Sequence, residues 1–309
     1  MENKINNTVT LQAKDGHRIN VYCWDDVKSP KAVVQIFHGM AEHALRYERF
    51  AKVLNSHGIV AFADDHRGHG ITGTTNGKLG SIGKDGFNKI VEDENMITNM
   101  IKEKYPDIPV FVFAHSFGSF IGQEYITRYS KNIDGIILCG SSAQKGMKII
   151  AAKVLASIYQ FIFGPDREAK LLQNLSFGSY NRRVPPGDNT NWLSRDPDEV
   201  MKYNDDPHCG FICSADFYYS LTNGFMGLYK PEKLNSISKD LPICIIAGSE
   251  DPVGEYGKNV IKLYDIYKNL NINDVEIKLY EGARHELLNE TNRDEVTQDI
   301  LDWLNARIC

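Results

Sequence analysis

Short runs of uninterrupted apolar residues recur along the chain, most of them followed by a stretch with helical spacing. Ala32–Phe37 (interrupted only by Gln35), Ile59–Ala63, Val110–Ala114, Ile136–Cys139 and Ile243–Ala247 are such runs, and Val275–Leu279, with Glu276 and Lys278 between its apolar residues, also predicts a strand. Runs with little polar alternation predict strands buried on both faces. Tyr47–His57 puts Phe50, Val53 and Leu54 on one helical face and stops at Gly58. Gly86–Tyr105 predicts a long helix with Ile90, Met96, Ile97 and Ile101 inward, ended by Pro106. Phe117–Tyr129 and Thr297–Ile308 predict two more helices. At the start, Val9–Leu11 and Ile19–Trp24 flank Asp15-Gly16 and predict a hairpin.

Repeated strand–helix units predict an α/β fold, a mostly parallel sheet with helices on both faces. Between Gly140 and Ile243 lie about a hundred residues with helical patterns and no clear strand, too long for a plain connection. This stretch predicts a helical cap inserted at the sheet's carboxyl edge, where ligands bind on open α/β sheets. The expected division is a core of residues 1–141 and 237–309 with a cap over 142–236.

Charge narrows the partners. Thirty-five Lys and Arg against 40 Asp and Glu leave a formal net charge of −5. With no basic run, the chain offers no electrostatic footprint for nucleic acid. A hydrophobic fraction of 42% supports a sizeable core and excludes intrinsic disorder. The N-terminal MENKINNTVTLQAKDG lacks an apolar signal core, and Met147–Phe163 is too short and too polar to span a bilayer. A cytoplasmic location is expected, with the six cysteines (23, 139, 209, 213, 244 and 309) as reduced thiols.

The chemistry concentrates where strands end. Val110–Ala114 runs into His115-Ser116-Phe117-Gly118, and a helix follows. That is the strand–turn–helix context of a nucleophile elbow, whose tight turn needs small residues two positions before and after the serine. Here they are Ala114 and Gly118, alanine standing where glycine is usual. A serine nucleophile needs a base, and the base needs an orienting carboxylate, in the chain order Ser, Asp or Glu, His. His285 lies in the loop after the last strand, whereas His208 falls inside the insertion. Asp251 follows the strand Ile243–Ala247 and precedes Pro252, which biases it to an extended conformation. Glu250 is its near competitor. An acyl-transfer site also needs oxyanion donors. The Phe117 amide is one, and the Met40 amide, on the loop after Ala32–Phe37, is the second. His38 and Glu42 are expected to hold that loop by hydrogen bonds, and His115 is read as structural.

HGMAEHALRYERFA (38–51), FADDHRGHG (62–70), AHSFGS (114–119), GSEDPV (248–253) and EGARHELLNE (281–290) resemble the monoacylglycerol lipase and lysophospholipase branch of the serine α/β-hydrolases. The resemblance implies the α/β-hydrolase fold, Ser116, Asp251 and His285 as a triad, Met40 and Phe117 as oxyanion donors, a helical cap and no cofactor. It supports ester hydrolysis through an acyl-enzyme, on a small acyl ester or single-chain lipid. The apolar segment Ile149–Phe163 suits an acyl pocket, a transient lipid-surface contact, or packing on the core. An S33-type aminopeptidase on the same triad is the alternative, with Asp196, Asp198, Glu199, Asp205 and Asp206 to hold a substrate amine. A non-catalytic binding protein on this scaffold is less favoured, since no triad member is missing.

Other patterns carry less. Gly68-x-Gly70-x-x-Gly73 spells a dinucleotide fingerprint, but no helix is expected at Gly73 and the following glycines predict a loop. Asp65, His66 and His69 read as a hydrogen-bonded turn rather than a metal site. Cys209 and Cys213 lack a companion pair, and no metal is expected there either. Tyr218, Tyr219, Phe225 and Tyr229 read as cap packing.

Overall fold

The computed structural model describes residues 7–185 and 187–308; Cys309 lies outside them. Eight strands form one sheet: β1 (Thr8–Gln12), β2 (Arg18–Trp24), β3 (Ala32–Phe37), β4 (Ile59–Asp64), β5 (Val110–His115), β6 (Gly135–Cys139), β7 (Ile243–Gly248) and β8 (Val275–Tyr280). Their spatial order is β1, β2, β4, β3, β5, β6, β7, β8. The hairpin β1–β2 is antiparallel and β2 pairs antiparallel with β4; every other pairing is parallel. The hairpin turns at Gly16, which takes a φ of +84° open to glycine.

Eleven α-helices accompany the sheet among the described residues: α1 (Glu48–Ser56), α2 (Gly70–Thr75), α3 (Gly86–Lys104), α4 (Phe117–Tyr129), α5 (Met147–Phe163), α6 (Lys170–Phe177), α7 (Pro197–Asp205), α8 (Ala215–Leu228), α9 (Pro231–Leu234), α10 (Lys258–Asn269) and α11 (Arg293–Asn305). Strand alternation divides the core into two layers. Val110, Val112 and Ala114 of β5 pack with α3, α4 and α10 on one face. Phe111 and Phe113 pack with α1 and α11 on the other. Burial on both faces is why β5 is continuously apolar from Val110 to Ala114. Helices α5–α9 all lie between β6 and β7. Within this insertion, α8 anchors to the core: Phe225 packs on Phe120 of α4 at 4.8 Å between ring centroids, and Ser220 Oγ accepts from the Phe87 amide at 2.9 Å.

Three elements depart from expectation. The glycine-rich stretch after β4 is not all loop: α2 starts at Gly70. Asp65 folds under it, accepting from the Ile71 amide at 2.7 Å and the Ala44 amide at 3.0 Å. A Cβ on Gly70 would meet that carboxylate at 2.3 Å, so this glycine serves close approach rather than phosphate binding. Helix α10 has no counterpart among the expected elements, although Val260, Leu263 and Tyr267 form its buried stripe. Helix α11 begins four residues before Thr297, led by Asn292.

Candidate active site

Ser116 stands between β5 and α4 with φ 51° and ψ −116°, a conformation uncommon for a non-glycine residue. Close packing enforces it. A Cβ on Gly118 would meet the Phe37 carbonyl oxygen at 2.2 Å and that of His38 at 2.5 Å. The unusual Ala114 is accommodated by another glycine: a Cβ on Gly122, one turn into α4, would lie 3.1 Å from the Ala114 methyl. The elbow is tied down by the Ser116 amide, which donates to Cys139 O at 2.9 Å.

The three strand-end residues converge. Ser116 Oγ lies 2.8 Å from His285 Nε2, and His285 Nδ1–H donates to Asp251 Oδ2 at 2.9 Å. Asp251 is fully buried, and its other oxygen accepts from the Val253 amide at 2.9 Å. Pro252 follows Asp251, whose side chain reaches His285, whereas the Glu250 amide donates to Ala283 O at 3.0 Å. The His285 ring needs room that Gly140 supplies; a Cβ there would approach its Cε1 to 3.0 Å. Trp192, from the insertion, covers the same ring at 5.0 Å.

The loop after β3 is set by one buried carboxylate. Glu42 Oε1 accepts from the Gly39 amide at 2.5 Å, Tyr47 OH at 2.8 Å and His115 Nδ1–H at 3.1 Å. Its Oε2 accepts from Arg46 at 2.5 Å, and Arg46 grips both oxygens of Glu286, beside His285, at 2.7 Å each. Burial pushes the Glu42 and Glu286 carboxyls up, and Arg46 overcomes it, holding both below the ordinary range. Burial alone would depress His115; the Glu42 carboxylate raises it instead. His115 is thus a structural tie, and Glu42 and His38 are loop supports, His38 Nδ1–H donating to Gly39 O at 2.7 Å. Among the described residues, neither the Met40 nor the Phe117 amide donates to a backbone acceptor. Both residues line a cavity of about 920 Å³ with Ser116 and His285.

That cavity is roofed by the insertion. Ile149, Leu155 and Leu172 give it an apolar wall, and Tyr218 and Phe225 line it too, so two of the expected cap-packing aromatics face the cavity. Asp64, His66 and Glu94 form a buried group of metal-ligand type, and His43, Asp206 and Cys209 form a partly exposed one. In the first group His66 Nδ1 lies 3.1 Å from Asp64 and 3.0 Å from Glu94, and in the second His43 Nε2 lies 2.8 Å from Asp206. The five described cysteines are free thiols. No helix of the described residues is long and apolar enough to cross a membrane.

Residues 28–292 match the family of the serine aminopeptidase, S33. The chain belongs to that family. This S33 chain is 30% identical to a monoglyceride lipase homolog of Monkeypox virus, over 93% of its length and 95% of the viral protein. It is 29% identical to the monoglyceride lipase of Rattus norvegicus, over 96% and 89% of the two chains. Among solved structures, a thermostable carboxyl esterase from Bacillus coagulans superposes with a TM-score of 0.91 at 29% identity, covering 98% and 99% of the two chains. The chain is a monoglyceride-lipase-like α/β-hydrolase, as its motifs suggest.

Sequence reasoning did not reach Arg46, Glu286, Trp192 or Tyr203 of the insertion. Arg46 and Glu286 meet across 240 positions, and no local spacing signals such a pair.

Proposed function

We propose that this protein is a serine carboxylic-ester hydrolase acting on single-chain acyl esters, with residues 142–236 as a cap over the core. The observation that carries the reading is the hydrogen-bonded line from Ser116 Oγ through His285 to Asp251, opening on an apolar-walled cavity. Ser116 Oγ attacks the ester carbonyl carbon while His285 Nε2 takes its proton. Asp251 holds the imidazole tautomer and favours the imidazolium as it forms. The carbonyl oxygen becomes an oxyanion between the Met40 and Phe117 amides. Collapse breaks the C–O bond, and the alcohol leaves with the proton from His285. Water, deprotonated by His285, then attacks the acyl-enzyme and releases the acid with Ser116 restored.

The cavity lies at the upper end of ligand-site sizes. Helix α5 gives it Ile149, Ala152 and Leu155, and turns Val154, Ile158 and Phe161 (91% exposed) outward. One helix thus joins an acyl-binding wall to an apolar outer face suited to transient contact with a lipid surface. Less among the described residues supports the aminopeptidase alternative, which needs an available acid on the cavity to hold an amine. Of the expected acids, Asp196, Glu199 and Asp206 are engaged by Arg293 or His43. The cavity's own acids, Glu42, Glu255 and Glu286, are paired with Arg46 or Lys148.

The test is Ser116→Ala assayed on p-nitrophenyl butyrate and with a fluorophosphonate probe. Hydrolysis is expected to drop by about 10⁴-fold or more with labelling lost and the melting temperature retained. Wild-type turnover by the alanine variant overturns the reading.

A further inference from the structure

The loop carrying Met40 is gripped from two sides. From the core, Glu42 accepts from the Gly39 amide. From the insertion comes a second grip with no place in the mechanism above. Ala41, directly after Met40, has a φ of 53°, in the left-handed region that disfavours a residue with a Cβ. Its carbonyl accepts two hydrogen bonds, and both donors belong to the insertion: the Tyr203 hydroxyl at 3.0 Å and the Gly210 amide at 2.9 Å. Two residues on, His43 Nε2 pairs with Asp206. One short stretch, Tyr203–Gly210, therefore contacts one short loop, Ala41–His43, three times. Tyr203 is itself fixed, its ring 4.9 Å below the Arg46 guanidinium, which is bonded in turn to Glu42 and Glu286.

A left-handed alanine persists only where its surroundings hold it. Freed at its carbonyl, Ala41 relaxes toward negative φ, and the peptide planes on either side rotate. The Met40 amide lies one peptide away from that rotation. We propose that Tyr203 is a positioning residue for the oxyanion hole, so that the cap completes the catalytic apparatus as well as covering the substrate. This rests on the serine-hydrolase reading above.

Tyr203→Phe tests it, because the ring stays as cavity lining and only the hydroxyl is lost. The variant is measured for kcat and KM on p-nitrophenyl butyrate. Inhibition is measured with a trifluoromethyl ketone, whose adduct places an oxyanion in the hole, and with an ether analogue of the same chain length that cannot form one. The expected result is a fall in kcat of about 10- to 100-fold with KM within about twofold. Ketone affinity falls in step with kcat/KM, and ether affinity stays constant. A kcat equal to wild type overturns the proposal. So does a rise in KM with both inhibitors weakened alike, which marks Tyr203 as a substrate contact only. Ser116→Ala run alongside separates the two claims: an active alanine variant sinks the hydrolase reading itself, whereas a dead one beside an unaffected Tyr203→Phe sinks only the positioning role.

Discussion

Two carboxyls follow β7, yet one of them reaches His285. Asp251 is buried with both oxygens engaged, one on His285 and one on the Val253 amide. Glu250 is one residue too early, and its longer side chain leaves the strand end half-buried at the surface. Asp251→Asn puts an amide where a carboxylate must accept from Nδ1–H, so the imidazole loses the tautomer that accepts from Ser116. Its kcat/KM is expected to fall by about 10³- to 10⁴-fold with the fold intact, against less than about threefold for Glu250→Gln. Equal losses in the two variants, read from kcat/KM on a soluble ester and from far-UV spectra, would remove Asp251 from the role. At this scale Ser116, Asp251 and His285 were legible because each sits at a strand end, where parallel topology gathers side chains at one edge. Glu42, Arg46 and Tyr203 were not legible as a unit. A buried charged or hydroxyl side chain is chosen by a partner far along the chain, and its own neighbours carry no trace of it.

Strands announced themselves more clearly than helices. The apolar runs became β3 through β7 within a residue or two, because burial on both faces leaves polar residues little place in them, and Val275–Leu279 became β8, whose alternation leaves Glu276 and Lys278 exposed. Helix α2 was hidden by glycines that serve close approach, and α10 by a stripe of only three buried residues. Helix α5 was legible as apolar but not by its face, because apolar residues surround it almost entirely. The structure buries only Ala156 fully and leaves Met147, Val154, Ile158, Phe161, Ile162 and Phe163 each more than half exposed. A lipid surface would cover that face. Phe161→Ser combined with Ile158→Ser is expected to cut sedimentation with phosphatidylcholine vesicles, and hydrolysis of a monoglyceride held in them, by about tenfold. Each side chain contributes about 1.5–3 kcal/mol when fully buried and less in a partial contact. Hydrolysis of p-nitrophenyl butyrate should stay within twofold, since neither residue lines the cavity. Equal losses on the soluble and vesicle-borne esters would instead indicate a misfolded cap.

Across the whole molecule, the loops after β3 and β4 rest on a buried floor of histidines in opposite charge states. His66 is raised to about 10: burial opposes its charge, and Asp64 and Glu94 outweigh burial. Its Nε2–H donates to His38 O at 3.2 Å. His38, stacked on it at 3.8 Å, accepts from the His66 amide through Nε2 while Nδ1–H donates to Gly39 O, the pattern of a neutral ring. His69 is neutral as well. Burial first, and the His66 charge second, lower it to about 3. The unfolded chain takes up this proton below about pH 6.5, whereas the folded protein refuses it until far lower pH. Stability from His69 is therefore fully present above pH 6.5 and lost as pH falls toward 3. Between pH 6.5 and 5 the loss from this one group is about 2 kcal/mol, or ~3 °C of melting temperature for a chain of this length. His69→Gln keeps a donor for the Arg67 carbonyl, which His69 Nδ1–H serves at 2.9 Å, and titrates nowhere in that window. It is expected to be less stable than wild type at pH 7.5, since its amide is buried among Phe117, Phe211 and Phe217. Its melting temperature should nevertheless fall by ~3 °C less than that of wild type between pH 6.5 and 5. Calorimetry at matched ionic strength across the two pH values measures the difference. Parallel slopes for the two proteins would mean that His69 already carries a proton in the fold, and the neutral floor beneath the Met40 loop would have to be redrawn.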